Sequence, residues 1–92
     1  DVLTREQFAA IIANATGADV SQADTSVLSG FPDRSLVSDW AVQTMAWAVE
    51  NGVINGYELE DGTLELQANR TITRAEMAAM LMNAVEEGVM PL

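Results

Sequence analysis

The chain has 92 residues, length for one domain with a modest core, and nearly half of them are apolar, so it folds rather than staying disordered. Fourteen acidic residues against four Arg and no Lys give a net charge of −10, which repels nucleic acid and anionic membranes at long range. Without Cys or His it lacks disulfides, thiolate sites, the commonest general base and the commonest metal ligand, and no metal or cofactor is expected.

The first predicted element is a helix in residues 3–15, LTREQFAAIIANA. Thr4 is placed to cap it, and Gln7 three residues later has capping-box spacing. Leu3 and Phe8 occupy the positions of a hydrophobic staple. Phe8, Ile11, Ile12 and Ala15 recur at helical spacing, and Gly17 marks the stop. Asp1 stands in the approach to this helix, so the chain reads as a piece of a longer protein.

Residues 17–30 are small and polar and are expected to form a linker. A second helix is expected from Asp39 to Asn51, capped by Ser38 or Asp39 and ended by Gly52. Ala41, Met45, Ala48 and Val49 form one stripe on it, and Trp40, Thr44 and Trp47 another, so it is touched from both sides. Residues 53–72 read as loop. Asn55-Gly56 and Asp61-Gly62 are turn signals, and Val53-Ile54 is expected to pair with Thr63-Leu64. Glu58, Glu60 and Asp61 cluster there, but without the spacing of an EF-hand loop, and read as a solvated turn.

The last helix begins at residue 72 and repeats the first: ITRAEMAAMLMNA matches LTREQFAAIIANA at six of thirteen positions. Thr73 and Glu76 restore the capping box. Met77, Met80, Leu81 and Ala84 form the apolar stripe, and Gly88 stops the helix. Capping explains Thr4, Gln7, Thr73 and Glu76, but not Arg5 and Arg74. A cation at the first helical position faces the positive end of the helix dipole, unfavourable by roughly 0.3–1 kcal/mol. An arginine beside free N-terminal amides makes an anion site instead; an ion pair with Asp33 or another acid is the competing explanation.

Within residues 31–85 stand, in order, Phe31-Pro32-Asp33, Trp40-Ala41, Gly52-Val53-Ile54-Asn55-Gly56, Asp61-Gly62-Thr63 and Thr73-Arg74-Ala75-Glu76. Together they resemble one complete S-layer homology repeat, and residues 3–15 resemble the closing helix of a preceding one. The resemblance implies an all-α module with long loops. Residues 1–16 are the closing helix, 17–30 the linker, 31–88 the complete repeat and 89–92 a tail. Such repeats usually come in threes as a pseudo-threefold helical prism, so adjacent repeats or self-association would complete this one. The family holds bacterial surface proteins non-covalently to secondary cell-wall polysaccharide, often through a pyruvate ketal. The implied localisation is extracellular, in the cell wall or surface layer.

Carried over by motif, the ligand arginines are Arg74 and, in the partial copy, Arg5. Trp40 and Trp47 are candidates to stack on sugar rings, with core packing as their other reading. Asp33 caps a turn, or orients a sugar hydroxyl or an arginine. The family's usual Pro is absent: Leu64-Glu65-Leu66-Gln67 follows Thr63. The chain lacks the features of catalysis: a nucleophile elbow, a phosphate loop and a histidine base. No run of apolar residues is long enough to insert in a membrane. The other reading is a protein–protein interaction or self-assembly module that binds no glycan.

Overall fold

A computed structural model describes residues 2–90. Its elements are α1 (Arg5–Thr16), α2 (Val42–Glu50), β1 (Tyr57–Glu58), β2 (Leu64–Glu65) and α3 (Arg74–Glu86), with four 3-10 turns between α1 and α2. The chain is mainly helical, as expected.

Both Thr-initiated helices close their capping boxes. Thr4 accepts from the Gln7 amide and the Gln7 side chain accepts from the Thr4 amide. Thr73 and Glu76 do the same at α3. Gly17 ends α1 at φ 72°, a left-handed conformation that glycine adopts without penalty, and its N–H returns to Ala13 and Asn14 carbonyls. Asp1, Pro91 and Leu92, including the end of the expected tail, lie outside the described residues.

The short helix α2 is the centre of the molecule. Met45, Ala46 and Ala48 are fully buried on it, and Ala41 is buried in the 3-10 turn Asp39–Ala41 that leads in. Ala9 and Ala13 on α1 are buried opposite, so small side chains let the helices approach closely. Ile12, Leu28, Val53, Ile54, Leu66 and Met80 fill the space around them.

Three expectations are corrected. Residues 17–30, expected as a small polar linker, carry two 3-10 turns that pack on the core. Asp19 and Asp24 accept from the amides of Ser21 and Ser26, which start the 3-10 turns Val20–Gln22 and Thr25–Gly30. Leu28 is buried against α2, and the Asp24 amide donates to Glu50. The polar composition reflects turn-forming side chains, and Leu28 with the partly buried Val20, Ala23 and Val27 docks the segment on the core. The hairpin is also displaced: Tyr57 pairs with Glu65 and Glu58 with Leu64. Val53 and Ile54 are core residues below α2, because the Val53 and Ile54 amides turn back to the Ala48 carbonyl. Finally, the expected stripes are only half buried. Ile11 and Ala15 on α1 face outward, and so does Leu81 on α3.

The two repeated helix starts are neighbours. Thr4 and Thr71 form an antiparallel bridge, and the Ile72 amide donates to the Leu3 carbonyl at 2.8 Å. The Cα radius of gyration is 12.2 Å, matching the value of about 12 Å for a single domain of this length. The first helix and the elements after it therefore pack as one body.

Candidate functional site

The neighbouring helix starts put Arg5, Arg70 and Glu76 together. Arg5 is only 6% exposed. Its Nε donates to the Leu66 carbonyl at 2.9 Å, and its Nη1 lies 3.8 Å from Glu76 Oε2. Arg70 pairs with the same Glu76 oxygen through Nη2, donates from Nε to Gln67 Oε1, and stacks its guanidinium 5.0 Å from the Tyr57 ring centre. Burial pulls the Arg5 guanidinium below its usual range, and the charge of Glu76 works against that. Burial alone would raise the Glu76 carboxyl. The Arg70 hydrogen bond, the Thr73 amide and the two guanidinium charges outweigh it and hold the carboxyl below its usual range.

Asp33 acts on the same loop from the other side. Its two carboxylate oxygens accept from the Leu66 and Gln67 amides at 2.9 and 2.8 Å. The Leu66 peptide is thus held at its amide by Asp33 and at its carbonyl by Arg5. Gln67 sits at φ 50°, a left-handed conformation that this residue type adopts at a cost. The clamp fixes it in the segment where the family's Pro is missing.

Three of the expected site residues have partners within the chain or a place in its core. The Arg5 guanidinium is buried and partnered, by Glu76 rather than Asp33. Its helix start holds no open anion site either. The Arg5 and Glu6 amides donate to the Arg70 and Ala68 carbonyls, and the Gln7 amide to Thr4. Asp33 makes no side-chain cap on the following 3-10 turn; both its oxygens hold backbone amides instead. Trp47 belongs to the core at 8% exposure, because α2 presents it with Met45 and Ala48 to the surrounding elements.

Arg74 and Trp40 are placed differently. Trp40 is 58% exposed in the turn Asp39–Ala41 that leads into α2. Arg74 is exposed at the first position of α3 and makes no ion pair among the described residues. The Arg74 and Ala75 amides donate to no described group, in contrast to their counterparts on α1. The two sequence-equivalent arginines therefore stand in different surroundings.

Several structural residues were not singled out from sequence. Glu6 is 4% exposed, and its carboxylate accepts from the Ser38 amide at 3.0 Å and the Ser38 hydroxyl at 2.5 Å. Ser38 thus serves α1, not the cap expected of it. A usable signal was the position of Glu6 one turn before Ala9 and two before Ala13, on the face where α1 meets α2. Arg70, Tyr57 and Leu66 had no comparable signal, since only the hairpin brings them to the helix starts.

Fold and site together define a mainly helical module in which two Thr-capped helix starts lie side by side. A family model of the S-layer homology domain matches residues 30–78. The Surface-layer 125 kDa protein of Lysinibacillus sphaericus is 37% identical over 84 residues, which is 91% of this chain and 7% of that protein. Among solved structures, an undecaheme cytochrome from the S-layer of Carboxydothermus ferrireducens superposes with a TM-score of 0.71. The overlap covers 94% of this chain and 13% of that one at 18% identity, a likeness of fold. This chain belongs to the S-layer homology domain family. Its general role is bacterial cell-surface anchoring or surface-layer association. It spans a small fraction of the length of the proteins it matches.

Proposed function

We propose that the module anchors its parent protein to the cell wall by binding an acidic or pyruvylated secondary cell-wall polysaccharide. Arg74 meets the acidic group and Trp40 offers a face for a sugar ring. The observation that carries this reading is the contrast between the two Thr-Arg starts. Arg5 is used up by Leu66 and Glu76, and its helix amides are filled. Arg74 keeps its guanidinium and two helix amides available at the positive end of α3. A guanidinium matches a carboxylate through two parallel hydrogen bonds.

Sedimentation of the chain with purified wall material tests this. Arg74→Ala should weaken binding by about tenfold to a hundredfold, the loss of a charge-assisted hydrogen-bonded pair. Unchanged sedimentation would remove Arg74 from the ligand site.

The assembly reading also has an observation in its favour. Leu81, Met82 and Val85, with Glu86 at the rim, line a shallow apolar hollow on α3. An adjacent repeat or a second copy of the chain would bury it. Light scattering over a concentration series reads this directly: growth in mass that Met82→Glu abolishes supports assembly, and a constant monomer mass argues against self-association.

A further inference from the structure

The second cation outside the Glu76 cluster is Arg34. It is exposed in the 3-10 turn Arg34–Leu36, and its side chain makes no ion pair or hydrogen bond among the described residues. It lines a hollow of about 330 Å³ together with Thr25, Leu28, Ser35 and Val42. None of these five residues is acidic, in a chain with 14 carboxylates. Leu28 is buried and Val42 half-buried, so they give the hollow an apolar floor. Thr25 and Ser35 add hydroxyls that donate or accept as a ligand requires. The volume stands at the small end of the roughly 300–1,000 Å³ of ligand pockets. That is room for one sugar ring, not a stretch of polymer.

An apolar floor, two hydroxyls and one unpaired guanidinium suit a ring that carries hydroxyls and a single anionic group. We propose that this hollow is a second anion subsite, taking one carboxylate-bearing sugar residue through Arg34. It stands independently of Arg74, since no residue of α3 lines it. It exists only because residues 17–30 dock against α2 and supply Thr25 and Leu28.

Proton–nitrogen correlation spectra of the labelled chain, titrated with glucuronate, glucose and acetate, test the proposal. Glucuronate should shift the Thr25, Ser35 and Val42 amides. Glucose and acetate should do so far more weakly, because each offers half of the recognised chemistry. Arg34→Gln should weaken the glucuronate response of these three amides by about tenfold or more. Arg34 is exposed, so a matching far-UV spectrum should show the variant folded. Equal responses to acetate, equal responses to glucose, or an undiminished response in Arg34→Gln would each overturn the subsite. Shifts confined to the start of α3 would also overturn it, and would leave the Arg74 reading standing.

Discussion

Glu76 has two duties that a single substitution separates. Its side chain completes the α3 capping box, and its Oε2 faces both Arg5 and Arg70. Gln7 performs the capping duty at α1 with an amide, so Glu76→Gln should keep the cap and remove only the charge. What remains is a guanidinium 6% exposed without its counter-ion. Breaking a fully buried pair costs about 3–5 kcal/mol. Arg5 keeps its bond to Leu66, the Nη1 to Oε2 distance is 3.8 Å, and the Arg70 side chain is 37% exposed and adds little. The expected loss is therefore about 2–3 kcal/mol, or a midpoint lower by about 10–20 °C. Thermal and urea unfolding followed by circular dichroism measure it, with Gln7→Ala as the cap-only control at about 0.5–1 kcal/mol.

Acidification supplies a second signature of the same pair. The Glu76 carboxyl is held below its usual range in the folded state. Its contribution is therefore fully present above the unfolded value of about 4.3 and disappears as pH falls through the lower folded value. Glu76→Gln should lose less stability than the parent over that acid interval. A variant no less stable than Gln7→Ala, with an unchanged acid profile, would refute the role of the pair.

Two further measurements separate core from surface. Trp47→Ala should cost about 3–5 kcal/mol in urea unfolding, whereas Trp40→Ala should change stability by about 0.5 kcal/mol or less and lower wall binding. Gly56→Ala should destabilise by about 1–3 kcal/mol. At φ 96° a Cβ would stand 3.0 Å from Phe31 Cε1 and 3.3 Å from Leu64 Cβ; unfolding as stable as the parent's would show that the hairpin gives way there.

The helices that repeat were legible in the chain because their determinants are local. A hydroxyl at the cap, a Gln or Glu three residues on and an apolar stripe act within one or two turns, wherever the helix ends up. The order of landmarks from Phe31 to Glu76 likewise sufficed for the family. Residues 17–30 misled because turn-forming Asp and Ser look alike in a linker and in a docked 3-10 segment. The packing of Leu28, Val20, Ala23 and Val27 on the core separates the two.

The functional residues divide along the same line. Sequence alone offered Arg74 and, from the partial copy, Arg5, each following a capping Thr and each at odds with the helix dipole. Tertiary structure gave them different surroundings. Bridging Thr4 to Thr71 carries α1's start against the hairpin, where carbonyls of Leu66, Ala68 and Arg70 and the carboxylate of Glu76 are waiting. The start of α3 meets no such neighbour among the described residues, so Arg74 stays exposed. Which arginine is structural and which is exposed depends on contacts across some sixty residues of chain, and local chemistry carries no information at that range.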